Sequence, residues 1–416
     1  MTSVHILTFG CSINQADSEV MAGLLKEAGF SIVPRDQADV LIINTCTVKT
    51  PTENRFRRIL EEVKDSHHII IAGCIPQTVP ETLAGYSLVG TSQINHIVEA
   101  VEETINGNNV VMLTEEKNPR LNIPKIRKNP VVEIVPIASG CMGSCSYCIT
   151  RKARGSLLSY DPDQIVSHIR RSVRQGVREV WLTAQDTGCY GKDIGSSLPE
   201  LLRRVNDING EFMIRLGMMN PDHLKDLIDD LLPIYDSRKM FKFIHIPVQS
   251  GNDEVLSRMR RKYSADDFLE LAARVKERHK HMTIATDVIC GFPGETEEQF
   301  GDTLDLIRKV RPDVVNISRY WDRPGTESSM MEDKVHGNEN KERSRKMKSV
   351  FEWISFENNK KWRDWEGQVI VDEHGKDNSS VARNFAYKPV IIQEKQQLGS
   401  IHKVKVKTTT IYDLRA

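Results

Sequence analysis

The sequence predicts an α/β protein in three parts: an amino-terminal open parallel α/β unit, a central (βα) partial barrel, and a small antiparallel β-barrel at the carboxyl end. Three observations carry this. Short apolar runs alternate with amphipathic stretches through most of the chain, the pattern of βα units in a parallel sheet. From Trp365 onward short alternating strands with closely spaced turns replace it. The 416 residues exceed one ordinary core. The expected units are 1–115, 131–355 and 356–416. A linker over 116–130 is marked by prolines and unpatterned charge.

Composition narrows the class. Hydrophobic content of 39% and charged content of 27% are those of a soluble globular protein. Lys+Arg and Asp+Glu both total 57, so any nucleic-acid contact must come from local patches. No apolar run reaches the ~20 residues that span a bilayer. The start, Met1-Thr2-Ser3-Val4-His5-Ile6, has no signal-peptide pattern, so a cytoplasmic location is expected. Eight cysteines in such a chain point to metal or catalytic use and away from disulfides.

In the first unit, Val4–Phe9 reads as a strand ending at Gly10-Cys11. A helix follows, with Met21, Leu24, Leu25 and Ala28 at helical spacing and Gly29 as its stop. Val40–Asn44 ends at Thr45-Cys46, and Ile69–Ala72 ends at Gly73-Cys74. Each strand finishes with a cysteine at its carboxyl end, the edge where open parallel sheets bind ligands. Cys11, Cys46 and Cys74 are therefore expected to meet. The alternative is three separate, inert core thiols. Asp17 and Ser18 read as capping residues, whereas Asn14 and Gln15 stay open.

The second unit opens with the strand Val131–Ile137 and Gly140-Cys141-Met142-Gly143-Ser144-Cys145-Ser146-Tyr147-Cys148. Three thiolates in one short loop select iron–sulfur clusters, zinc or copper(I). Three ligands leave one iron of a 4Fe–4S cube open to a substrate. A zinc knuckle would need a fourth ligand, and no Cys or His lies between Cys148 and His168. The Cys-x3-Cys-x2-Cys loop resembles that of the radical S-adenosylmethionine (SAM) enzymes. That resemblance implies a 4Fe–4S cluster on Cys141, Cys145 and Cys148, SAM on its free iron, and Tyr147 near the adenine. Thr8–Ser18, Asn44-Thr45-Cys46-Thr47-Val48 and Ala72-Gly73-Cys74 resemble the amino-terminal domain of the methylthiotransferases. There Cys11, Cys46 and Cys74 would hold a second, auxiliary 4Fe–4S cluster.

The strand ends of the central unit supply polar groups, as barrel chemistry requires. By the same resemblance Gln185, Gln249 and Asp287 would serve SAM's ribose and amino groups. Arg215 would pair with its carboxylate, and Gly291 and Gly294 would admit its backbone contacts. A plain strand-to-helix turn is the other reading of the two glycines. His245 reads equally as a hydrogen-bonded barrel residue. Cys189 and Cys290 read as structural thiols, Cys290 beside the SAM site.

Linker charges Lys117, Arg120, Lys125, Arg127 and Lys128 read as solvated surface or as a track for RNA phosphates. A charged helix over 338–363 would bury Met347, Val350, Phe351, Ile354 and Phe356. The terminal barrel resembles the TRAM domain, an RNA-binding module. Arg383, Tyr387, Lys388, Lys403 and Lys405 would form its basic, stacking face, and Arg151, Lys152 and Arg154 would meet RNA near the cysteine loop. Lysines on a last strand equally protect a sheet edge.

The resemblance implies insertion of a methylthio group, with two clusters and SAM as cofactors. Ile149–Gly155, Asp186–Gly191 and Asp193-Ile194-Gly195 look most like the archaeal and eukaryotic threonylcarbamoyladenosine enzymes. These imply C2 of N6-threonylcarbamoyladenosine 37 in the tRNA anticodon loop as the target. The expected partners are that tRNA, an electron donor and a sulfur donor, with the chain a monomer and no membrane contact. Isopentenyladenosine in tRNA or a ribosomal-protein aspartate are the alternative substrates. A non-catalytic iron–sulfur RNA-binding protein is the alternative of another class.

Overall fold

The computed structural model describes residues 2–47, 50–114 and 120–416, with the backbone alone at Thr50 and Pro51. Val48, in the second cysteine motif, and Lys117 and Pro119, in the linker, lie outside the described residues. The amino-terminal sheet has six parallel strands in the order Ser31–Ile32, Ser3–Thr8, Val40–Thr45, His68–Gly73, Ser87–Gly90, Val111–Met112. Val40–Thr45 is buried along its whole length, which is why it reads as an unbroken apolar run. Val20, Met21 and Leu25 of the helix Ser12–Glu27 pack on one face. Phe56, Ile59 and Leu60 of Thr50–Val63 pack on the other. All three cysteines follow carboxyl ends of adjacent strands, so the sheet delivers them to one edge.

The central unit is the expected parallel partial barrel. Strands Val132–Pro136, Glu179–Thr183 and Met213–Leu216 form one three-stranded sheet. Phe243–His245, Thr283–Cys290 and Val314–Arg319 form another. A bridge between Ile214 and Met240 joins them. Helices Pro162–Arg174, Leu198–Asn206, Pro221–Leu231, Ala265–Arg278 and Glu297–Val310 cover the outside over one apolar core.

Three of the linker charges, Arg120, Lys125 and Arg127, are tied up in ion pairs, whereas Lys128 is exposed. Arg120 pairs with buried Asp17, and Arg127 with buried Glu133. Lys125 reaches both Glu19 (3.1 Å) and Glu133 (2.5 Å). Buried carboxylates need such partners, because leaving a buried charge unpaired costs several kcal/mol. The linker therefore straps the amino-terminal unit to the barrel. Asp17 is thus an ion-pair residue and not a cap.

The helix Gly337–Lys360 runs without a break through the expected boundary at residue 355. Met347 and Ile354 are buried as expected, but Phe356 is 37% exposed beneath Lys360. Beyond it, six strands form a curled sheet in the order Ile401–Lys405, Glu366–His374, Ser380–Arg383, Pro389–Ile392, Leu414–Arg415, Thr408–Thr409. The pairing is antiparallel except between Pro389–Ile392 and Leu414–Arg415. This sheet docks at the amino ends of the barrel strands: Lys242 N–H donates to Phe385 O, and Lys388 Nζ to Asp313.

Candidate active site

The three-cysteine loop leaves the first barrel strand and is pinned from several directions. Ser146 N–H donates to Met259 O, and Ser146 Oγ to Arg258 O. Each sulfur has its own donor. Gly143 N–H lies 3.2 Å from Cys141 Sγ and Arg261 Nη1 3.3 Å from Cys145 Sγ, while Thr150 bonds Cys148. Burial pushes the Cys141 thiol up to about 12, so thiolates here would need these donors together with a bound cationic group.

Beside the loop opens a cavity of about 290 Å³. Its walls include Tyr147, Gln185, Asn220, Gln249, Arg261, Asp287 and Arg319–Trp321. Gln185 Oε1 is buried there without a hydrogen-bond partner. Asp287 is held by His245 Nε2 (2.9 Å) and Asn316 Nδ2 (2.7 Å), which aligns the strand ends. Gln249 adopts φ +68°, a costly conformation for a side-chain-bearing residue and one found at ligand clamps.

The second triad sits at the edge of the amino-terminal sheet. Gly10, at φ +114°, lies so close to Cys46 that a Cβ would stand 3.0 Å from its Sγ. Asn14 organises the turn: its Nδ2 donates to Phe9 O and Thr45 O, and its Oδ1 accepts from Cys11 Sγ. Arg154 Nη2 adds bonds to Asn14 Oδ1 and Asp17 Oδ2, both 2.9 Å. The short helices Cys74–Thr78 and Thr150–Arg154, one from each triad, pack together. Among the described residues, neither triad brings its three sulfurs within 4.8 Å of one another.

Residues 135–307 match the Radical SAM superfamily, and residues 3–89 match a family described as uncharacterized protein family UPF0004. Over 399 residues the chain is 39% identical to a "Probable threonylcarbamoyladenosine tRNA methylthiotransferase" of Pyrococcus abyssi, covering 94% of each. The human "Threonylcarbamoyladenosine tRNA methylthiotransferase" is 40% identical, with 94% of this chain and 69% of that one covered. The chain belongs to this methylthiotransferase family. A radical SAM methyltransferase from Kitasatospora setae shares the fold at TM-score 0.59 and 15% identity, over 79% of this chain and 77% of its own.

The methylthiotransferase family uses SAM and two 4Fe–4S clusters, and the residues present fit them. Three thiols at each site, a soft donor set one ligand short of four, suit a cube with an open iron. The orphaned Gln185 Oε1 and the polar walls suit SAM in the cavity.

Several expected contacts fall elsewhere. Arg215 is outside the cavity: its guanidinium stacks about 5 Å from Trp181, Phe243 and Tyr387 inside the barrel base. Gly291 and Gly294, at φ +71° and +72°, do not line the cavity either. A Cβ on Gly291 would strike Asn340, and one on Gly294 would strike Arg258. The turn they make sets Phe292 edge-on behind Tyr147 at 6.4 Å. Arg154 is 4% exposed and turned to the auxiliary triad, not to solvent.

In the terminal sheet, Arg383 is bound to Asp372, Lys388 to Asp313 and Asn359, and Tyr387 is sealed among Arg215, Phe241 and Phe243. All three are interface residues, because the sheet needs them to cover the barrel base. Lys403 and Lys405 are exposed on the edge strand, Lys405 paired with Glu366. Arg151 and Lys152 are exposed and line a second concavity over the cysteine loop. Cys290 is buried on the outer, helix-packed side of its strand.

Cys189 belongs to a closed network with Asp186 and His223. Asp186 already accepts from Gly188 N, Asn220 N, Asn220 Nδ2 and His223 Nδ1, and Cys189 Sγ donates to Asp186 O. That carboxylate has no vacant lone pair for a metal. Arg261, Asn220 and Trp321 were not singled out from sequence, since each is a lone residue in no motif. Only the barrel's strand ends, read as one rim, could have pointed to them.

Proposed function

We propose that this methylthiotransferase inserts a methylthio group at C2 of N6-threonylcarbamoyladenosine 37 in tRNA. The observation that carries the reading is the pairing of two cysteine triads through one Arg154-bearing helix, in a chain similar over nearly its full length to enzymes of that name. When bound, SAM and the clusters supply the radical that removes the substrate hydrogen and the sulfur that replaces it. Cys141, Cys145 and Cys148 hold one cluster, and Cys11, Cys46 and Cys74 the other. Gln185, Gln249, Asp287 and Tyr147 bind and orient SAM. The cavity walls exclude water, and Arg151 and Lys152 meet RNA phosphates in the second concavity over the cysteine loop.

The terminal sheet acts as a TRAM-like module through Lys403 and Lys405. The partners are tRNA, an external electron donor and a sulfur donor, and the chain works as a monomer in the cytoplasm. No helix of the described residues is long and apolar enough to cross a membrane.

The test is mass spectrometry of tRNA nucleosides after incubation with the anaerobically reconstituted chain, SAM, sulfide and a reductant. Threonylcarbamoyladenosine should gain the methylthio group. Gain on isopentenyladenosine alone would overturn the substrate. 5′-Deoxyadenosine without any tRNA product would redirect the search to ribosomal-protein aspartate. Failure to cleave SAM would leave a non-catalytic iron–sulfur protein.

A further inference from the structure

Arg154 follows the radical-site loop by only six residues, yet its side chain ends in the other site. Its guanidinium is 4% exposed. Nη2 is fully used, on Asn14 Oδ1 and Asp17 Oδ2 at 2.9 Å each. Nη1 is buried and completes no well-formed hydrogen bond, although the Arg154 side chain lies near enough to Cys74 to act on its thiol. A charged donor left unbonded in the interior costs more than a neutral one, so such an atom is kept for an acceptor that arrives with a ligand. The helix that bears Arg154 packs on the helix that Cys74 opens, and after Asp17 the charges of Cys74 and Cys11 act most strongly on this guanidinium. Asp17 is itself shared with Arg120, so the carboxylate anchors Arg154 without needing its whole charge.

The radical site shows the same device already engaged. Arg261 Nη1 lies 3.3 Å from Cys145 Sγ, while its Nη2 is tied to Asn220 Oδ1 and Pro247 O. Each triad thus has one arginine beside it, Arg154 buried and Arg261 half-buried, anchored through other nitrogens while Nη1 is left for sulfur.

We propose that Arg154 is the charged hydrogen-bond donor to the sulfurs of the auxiliary cluster, reserving Nη1 for a cysteine or cluster sulfur and stabilising the cluster's added negative charge. It is a positioning and tuning residue, not a catalytic one. Because its helix leaves the radical-site loop at Thr150, the chain builds one site's electrostatic partner from the other site's scaffold. The proposal rests on the reading that Cys11, Cys46 and Cys74 hold a cluster.

The test uses the full chain with Cys141, Cys145 and Cys148 replaced by alanine, so that only the auxiliary cluster is reconstituted. Iron and sulfide per chain are counted, and the midpoint potential is titrated by electron paramagnetic resonance. Hydrogen bonds and positive charge near cluster sulfur raise the potential. Arg154→Gln, combined with Asp17→Asn to offset the positive charge lost beside a carboxylate that Arg120 alone would then hold, should therefore move the midpoint to more negative values and lower iron retention after desalting. Asp17→Asn alone, which keeps the guanidinium, should change the potential far less, and Arg154→Lys should restore part of the shift. Equal potential and iron content in the Arg154→Gln/Asp17→Asn pair and its parent would overturn the proposal. A parent that holds no iron at all would instead overturn the auxiliary-cluster reading.

Discussion

At the scale of single residues, arginines divide the labour of this molecule, and their positions explain what the sequence does and does not disclose. The six candidate cysteines stand out in the sequence because their placement is local: a tight loop in one case, strand ends in the other. Arg154 was not, because its partner Asp17 lies 137 residues upstream and nothing near it announces the contact. Arg261 is a similar case and carries a test. Arg261→Met should remove the donor to Cys145, so the radical site should lose iron and SAM cleavage should fall, while the auxiliary cluster's spectrum persists. Loss of both clusters together would contradict this division. Arg215 makes the opposite case. Stacked among three rings and not among the residues that line the cavity, it should be structural: Arg215→Met should cost about 2 kcal/mol of stability and lower the melting midpoint. The KM for SAM should stay unchanged, and a large rise in it would return Arg215 to the ligand.

At the scale of elements, long strands and amphipathic helices were legible because their periodicity is sustained. The strands Val111–Met112 and Ser31–Ile32 were not, since two residues leave no pattern. The terminal sheet was legible as β structure, but its face was misassigned. Arg383, Tyr387 and Lys388 look like an RNA-binding set in sequence and instead dock the sheet on the barrel. That interface contains a buried acid pair with a pH signature. Glu179 is pushed up to about 8, first by burial and then by the charge of Asp372, and Asp372 is raised by burial as well. An acid raised in the fold contributes stability while it keeps its proton. The contribution is present at low pH, declines above the ordinary carboxylate range, and is lost as pH rises through about 8. Melting midpoints of the native chain should therefore fall across that window, and Glu179→Gln should flatten the fall. The same slope in both proteins would show that the pair does not titrate there.

At the scale of the whole molecule, the amino-terminal sheet and the barrel are joined where their sites are. Arg120, Lys125 and Arg127 strap the linker, Arg154 crosses between the triads, and Arg323 reaches from the cavity wall to Glu53 beside the Cys46 loop. Despite this closeness, the radical site's sulfur donors Gly143, Thr150 and Arg261 all belong to the barrel. Losing the auxiliary cluster should leave them in place. Cys46→Ala should thus halve the iron content and abolish methylthio insertion, yet keep SAM cleavage to 5′-deoxyadenosine largely intact. Cys145→Ala removes a ligand from the cluster that binds SAM and should abolish both. Anaerobic reconstitution followed by chromatography of both products separates the outcomes. If Cys46→Ala lost SAM cleavage while the radical-site cluster kept its spectrum, the two sites would be coupled through the Arg154 and Arg323 contacts, and their independence would have to be given up.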